Sequence, residues 1–449
     1  MKKNLFLAAA AVAMLASCSQ NDLEAPVVAE AQQTAIEFGT YLGNAASSRA
    51  GWGGNMTIEQ LKESETNGGG FGIFAYHTDN AVYSSASAKP NFMYNQGVFF
   101  DTDWKYSPVK YWPNEANASN TDGAGAKSEG VDRVSFFAYA PYVETASGTT
   151  GITAFEPANN TNGDPKVSYT VDTDADTAVD LLWGVIASDV STWPNVMGTP
   201  MESSTDPAFK VGKPYLNLLK PKTEQKVKFN FKHALAKINV GVQAVVDATA
   251  PTTSKLDANE TKIYIRSITI TSKTADGFGT SGKLNLNNNT VNVPLWEDVN
   301  KTTAKELKAD ETGEIHENLF WSEPANSTAK DDLFTNKSGV TESILNIVTG
   351  VAHATADKGW MVVPTGDETK FSVNIDYFVM TKDSKLEDGY SIVENNITKD
   401  ITVASPGFVG GKKYQINLLL GLTSVKVDAI VTDWVDGETT PVNLPINVN

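Results

Sequence analysis

Cysteine is almost absent from this chain. Cys18 is the single one in 449 residues, so no disulfide can form within the molecule. Arginine is nearly as scarce, at Arg49, Arg133 and Arg266 only. The four histidines, His77, His233, His316 and His353, lie too far apart in sequence to suggest metal-ligand spacing. Positive charge is outweighed as well: 36 basic against 53 acidic residues leave a net charge of −17. That balance argues against nucleic acid or an anionic membrane surface as a partner. Complete catalytic signatures are missing too, whether a Gly-x-Ser-x-Gly elbow, a phosphate loop or a His-Glu-x-x-His segment. The sequence therefore assigns no catalytic residue, no metal and no cofactor, and an enzyme is not expected.

One apolar run stands out, at residues 5–16, preceded by Lys2 and Lys3 and followed by Leu15-Ala16-Ser17-Cys18. It is short for a membrane span and has the charge layout of an export signal. Small residues before Cys18 fit the lipobox of bacterial lipoproteins. The expected mature chain begins at a lipid-modified Cys18, attached to a membrane facing away from the cytoplasm by lipid alone.

The rest reads as all-β. Residues 36–42 alternate, with Ile36, Phe38, Thr40 and Leu42 on one face. Strand-like runs recur at 72–76, 131–139, 166–171, 226–231, 237–242, 262–271, 283–286, 371–380, 397–403 and 413–420, separated by Gly, Asn, Asp, Ser and Pro clusters. Short strands with turn-rich connections predict β-sandwiches, and the lack of a repeat period excludes a propeller. A short helix is expected near 57–64, capped by Thr57. Lys213-Pro214 and Lys220-Pro221-Lys222 interrupt the pattern and place a domain boundary near 210–226.

Both ends of the chain carry signals. Ser47-Ser48-Arg49-Ala50-Gly51 presents a basic residue among small ones, open to a trypsin-like protease or simply a linker. At the far end Val442, Leu444, Ile446 and Val448 alternate strictly. Pro441 and Pro445 fall on the opposite parity and lack N–H groups, so this strand belongs at a sheet edge, its own or another molecule's. The two end segments share one pattern and are interchangeable. Four such side chains contribute roughly 6–12 kcal/mol on burial, before entropy costs. Cleavage after Arg49 would free the first strand, and a neighbour's last strand could take its place. Donor and acceptor lie at opposite ends, so the contact does not close and a filament grows.

Other features have structural readings. Asp172-x-Asp174-x-Asp176 opens like a calcium loop, but Thr177 and Trp183 stand where Gly and Glu are required. His233 is read as a structural hydrogen-bonding residue. Trp104, Tyr106, Tyr111 and Trp112 either cover a core from a hairpin or form a platform for sugars. The second option keeps a rival function open, a surface lipoprotein that binds glycans. Loops 116–129 and 247–260 are candidate adhesive sites.

Several motifs resemble the fimbrillin family of Bacteroidales type V pili over nearly the whole chain. They are the lipobox at Cys18, Ile36-x-Phe38 followed by Ser48-Arg49-Ala50, and Trp104-Lys105-Tyr106-Ser107-Pro108-Val109-Lys110-Tyr111-Trp112-Pro113. Phe136-Phe137-Ala138-Tyr139-Ala140-Pro141-Tyr142, Asp180-Leu181-Leu182-Trp183 and Phe231-Lys232-His233-Ala234-Leu235-Ala236-Lys237-Ile238 follow. Gly411-x-x-Tyr414-x-Ile416-x-Leu418 and Asp433-Trp434 complete the set. Each piece is common alone; their order and spacing are specific.

The resemblance implies two tandem transthyretin-like β-sandwich domains behind a cleavable lipoprotein leader. Residues 1–17 would be the signal peptide and 18–49 a propeptide holding the removable strand of Ile36, Phe38 and Leu42. Residues 50–220 and 221–449 would form the N-terminal and C-terminal sandwiches. It also implies Cys18 as the acylated (palmitate-bearing) residue and Arg49–Ala50 as the bond cut by an arginine-specific surface protease. Val442, Leu444, Ile446 and Val448 would form the donor strand within 425–449. Implied partners are other subunits in a homopolymer or mixed pilus, the membrane before maturation, and host or bacterial surface receptors. The implied location is the outer membrane and then the cell-surface fimbrium. A stalk subunit fits best because both releasable strand and donor are present; a tip or accessory subunit is the alternative.

Overall fold

In a computed structural model of the chain, the described residues are 34–41, 56–79, 81–113, 132–172, 177–187, 211–218, 220, 226–244, 261–273, 275–301, 306–310, 353–354, 359–420, 425–433, 442–443 and 446–448. Cys18, Leu42, Arg49, Ala50, Asp174, Asp176, Leu444 and both candidate adhesive loops lie outside them.

The first half supplies β1 (Phe38–Tyr41), β2 (Phe71–His77), β3 (Met93–Asp101), β4 (Asp103–Lys105) and β5 (Val134–Ala140). It continues with β6 (Ile152–Glu156), β7 (Lys166–Thr170), β8 (Leu182–Ile186) and β9 (Tyr215–Leu218). Next come β10 (Val227–His233), β11 (Ala236–Ala244), β12 (Thr261–Ser272), β13 (Ser281–Asn285), β14 (Leu295–Asn300) and β15 (Glu306–Asp310). After β16 (His353–Ala354) and β17 (Trp360–Val362) follow the long β18 (Thr369–Lys382) and β19 (Tyr390–Val403). The chain ends with β20 (Lys412–Leu420), β21 (Val425–Asp433), β22 (Val442–Asn443) and β23 (Ile446–Val448). The expected helix is the single turn α1 (Ile58–Leu61), with Thr57 and Gln60 forming a reciprocal capping box.

Four sheets result. The largest runs β1-β10-β8-β5-β2-β3-β4, with β9 also on β5. Its central strand β5 is buried along its whole length, which explains why Val134–Ala140 reads as a continuous run and not an alternating one. One face packs on the four-stranded sheet β14-β13-β7-β6 through Phe74, Phe137, Trp183, Tyr169 and Leu284. The other face carries Phe38, Phe71, Phe136, Phe229 and Phe231, with Leu61 of α1. A second sandwich joins β16-β11-β20-β21-β22 (with β17 on β11) to β15-β12-β18-β19-β23, around Ile238, Ile268, Val373, Ile375 and Ile416. Alternating burial along β18 places Phe371, Val373, Ile375 and Tyr377 in that core.

The all-β sandwich expectation is met. Around the expected boundary at 220/221 the strand pairing continues across the sequence. β10 follows it, yet pairs with β8 and puts Phe229 and Phe231 into the first core. The switch comes at Ala234 and Leu235, both fully buried, where Ala234 N–H donates to Leu181 O at 2.8 Å. Strands β13 and β14 return to pair alongside β7, because Leu284 completes the core against Val167 and Tyr169. Strands from both halves of the sequence thus share one sheet.

Candidate functional site: the edge strand and its groove

The alternation of residues 36–41 produces a strand buried on one face. Ile36 and Phe38 are almost completely buried, while Glu37 points outward. β1 pairs with β10 in parallel, Phe38 opposite Val227 and Thr40 opposite Phe229. Its start is held from the other side as well. Ile36 N–H donates to Lys110 O at 2.9 Å and Trp112 N–H to Thr34 O at 2.9 Å. The Tyr106 hydroxyl donates to Ile36 O at 2.9 Å and accepts from Lys110 N–H at 3.2 Å. The strand therefore sits in a slot between β10 and the irregular segment 106–112.

Aromatic rings line the floor of the slot. Phe38 lies 5.3 Å from Tyr106, 5.8 Å from Phe136, 6.3 Å from Phe229 and 6.4 Å from Phe71, centroid to centroid. Such edge and offset contacts each add about 0.5–1.5 kcal/mol to the burial of area. At the rim Lys226 stands 3.6 Å from Glu37 and hydrogen-bonds Asp103. That bond raises the lysine's pKa and lowers the aspartate's, in a setting exposed enough for solvent to screen it. Burial pushes the Tyr106 phenol up to about 12, against the lowering effect of its hydrogen bond from Lys110.

The four aromatic residues weighed as a sugar platform do not share an exposed face. Trp112 is buried against Phe136 at 5.9 Å, and Trp104 packs on Phe71 at 5.0 Å. Tyr106 lies over Phe38, and Tyr111 alone is well exposed, at 44%. Three of the rings belong to the slot around β1. Reading the sequence found this cluster but not its service to the first strand, because residues 106–112 have no strand period to connect them.

Of the segment expected to carry Val442, Leu444, Ile446 and Val448 as one edge strand, the described residues form β22 and β23. Val442 pairs with Val431 at the edge of one sheet of the second sandwich. Ile446 pairs with Val403 and Val448 with Ile401 at the edge of the facing sheet. Both pieces are short and both are terminal in their sheets.

His233 has the structural role expected of it. Its Nδ1 lies 2.5 Å from Asp180 Oδ2, and Met56 N–H donates to the same oxygen at 3.1 Å. Asp172, the described member of the calcium-like run, accepts from the Thr177 hydroxyl at 2.8 Å.

No family model matches the chain. It is similar to the fimbrium subunit Fim1C of Phocaeicola vulgatus, at 23% identity over 386 residues and 84% of each chain. Its fold is similar to the crystal structure of a fimbrial protein from Bacteroides vulgatus. That likeness has a TM-score of 0.57 at 20% identity and covers 89% of this chain and 99% of the other. The order of the sequence motifs and the likeness to a fimbrium subunit over 84% of the chain support a fimbrillin family.

Proposed function

We propose that this chain is a pilin that assembles head to tail into cell-surface fimbriae by exchange of its first strand. Cys18 carries the lipid during export to the outer membrane. An arginine-specific protease then cuts between Arg49 and Ala50, and the strand bearing Ile36, Phe38 and Leu42 leaves. The tail of a neighbouring subunit fills the vacated slot with Val442, Leu444, Ile446 and Val448. The observation that carries this reading is β1 itself, an edge strand that ends shortly before Arg49 and plugs an aromatic slot.

Energetics support the exchange. Ile36 and Phe38 contribute about 1.5–3 kcal/mol each by burial, and each backbone bond adds about 1 kcal/mol net. Once cut, such a strand is held firmly enough to keep the slot closed and loosely enough to be displaced. A replacement strand restores both contributions, and among the described residues its own pairing before donation is that of the short β22 and β23. The contact is heterologous and propagates, as a stalk requires. Surface receptors and the other subunits of a mixed pilus are partners on this reading.

The test is assembly of purified precursor with an arginine-specific protease. Heat-sensitive, detergent-resistant ladders should form, and they should be absent from Arg49→Ala and from a chain lacking residues 441–449. Fibres that retain residues 36–42, or that form normally without the tail, would sink the proposal.

A further inference from the structure

A second site lies at the far end of β2, away from the slot. His77 is the last residue of β2 and pairs with Val134 of β5. Beyond that pair two backbone bonds extend the ladder: Thr78 N–H to Arg133 O at 3.0 Å and Arg133 N–H to Asp79 O at 2.8 Å. Asp79 adopts the left-handed conformation, φ 47°, which a short polar residue tolerates. Its carboxylate lies 3.5 Å from His77 Nε2. Asp132, 8% exposed, brings the third group from the start of β5. The ligating atoms of His77, Asp79 and Asp132 lie within 4.8 Å of one another.

The imidazole supplies the decisive observation. His77 Nε2 is itself shielded from solvent, though the side chain is 26% exposed, and has no hydrogen-bond partner; Asp79 stands at ion-pair distance, 3.5 Å. A polar nitrogen is seldom buried without a partner. The residue is nevertheless held in place: Asn91 bonds its backbone N–H and C=O, each at 2.9 Å, and Phe92 lies 6.1 Å from its ring. A held ring nitrogen beside two carboxylates is, once deprotonated, a donor set for a cation. Imidazole favours a first-row transition ion or zinc over calcium and magnesium, which take all-oxygen shells. Zinc–ligand bonds of about 2.0–2.2 Å put tetrahedral ligand atoms roughly 3.4 Å apart, close to the 3.5 Å between His77 Nε2 and Asp79. Asp79, 76% exposed, leaves one side open for water ligands.

We propose that His77, Asp79 and Asp132 bind a first-row divalent cation, zinc fitting best, which clips the end of β2 to the start of β5. The site was hidden in the sequence because Asp132 is far from the other two.

Titration of the purified full chain with zinc chloride, followed by calorimetry and thermal unfolding, tests this. One zinc should bind per chain and raise the melting temperature, with calcium at equal concentration giving little of either. His77→Gln and Asp79→Asn should each weaken binding by at least about tenfold. Their melting temperatures in chelator-treated buffer show whether the fold survives. Cobalt substitution in the unmodified chain gives a readout free of variants: a visible spectrum from nitrogen and oxygen ligands, without a thiolate band. Absence of saturable zinc binding, binding unchanged in both variants, or a thiolate band would overturn the proposal, the last two by placing the metal at other histidines or at Cys18.

Discussion

Asp180 and His233 meet at 2.5 Å in a position almost sealed from water, and the contact joins two sequence motifs that lie 53 residues apart. One motif opens β8, the other closes β10 and leads into the second sandwich. Met56 N–H donates to the same carboxylate oxygen, so a third segment, just downstream of Arg49, is tied to the junction. A buried carboxylate with two partners is a pin: it stabilises the fold only while both remain.

Asp180→Ala therefore removes two bonds and strands two buried donors. The expected loss is about 2–5 kcal/mol of unfolding free energy, with His233→Ala losing less because Met56 keeps its partner. The double variant should lose less than the sum of the singles, by about 0.5–3 kcal/mol. Urea denaturation of the four chains measures this, and strict additivity would show that the two side chains are not coupled.

Phe38 offers a test of the slot that does not depend on assembly. In the uncut chain Phe38→Ala should cost about 3–5 kcal/mol, the usual price of emptying a packed aromatic site. Glu37→Ala, one residue away on the exposed face, should change stability by no more than about 0.5 kcal/mol despite its ion pair with Lys226. Denaturation midpoints of the two variants should therefore separate widely. Equal effects would mean that the buried face of β1 contributes little.

Much of this architecture was legible, for reasons that differ between elements. β10 and β18 alternate because one face meets a core and the other does not, and their sequences carry that period. Thr57 announced the helix start through local chemistry alone; its partner Gln60 is seen only in the structure. β8 was read as a motif but not as a strand, since Leu182–Ile186 is buried on both faces and has no alternation. β14 escaped for the opposite reason, being a half-buried edge with no fully buried residue. The far wall of the slot is irregular backbone around Pro108, where neither period applies. Alternation at 442–448 carries no information on which sheet edges β22 and β23 join, since that depends on tertiary pairing.

Gly184 shows how little room the groove's support leaves. It lies in β8 between β10 and β5, where an added Cβ would stand 2.8 Å from Ala138 Cβ and 2.9 Å from Phe229 Cδ1. Phe229 is the ring stacked on Phe38, so any displacement is passed to the slot. Gly184→Ala should lower stability by about 1–3 kcal/mol, more than the fraction of a kcal/mol that alanine contributes through the unfolded chain. Thermal unfolding reads this, and a neutral or stabilising result would show that Phe229 can yield.

Tyr106 makes the hold on β1 sensitive to alkali. Its phenol donates to Ile36 O and is pushed up to about 12 by burial, against 10 in the unfolded chain. Below pH 10 both states are protonated and the contribution is complete. Above pH 10 the unfolded chain loses the proton while the folded chain retains it, so stability falls with rising pH until the folded phenol ionises near 12. Tyr414, also pushed up to about 12 by burial, and the buried Tyr76 and Tyr83 add to the same slope. The informative quantity is thus the difference between wild type and Tyr106→Phe. At neutral pH the variant should be weaker by about 0.5–1.5 kcal/mol, for one lost hydrogen bond. Between pH 10 and 12 that gap should close or reverse, because phenylalanine has no proton to lose. Denaturation curves that stay parallel from pH 8 to 12 would mean that this hydroxyl does not govern the strand.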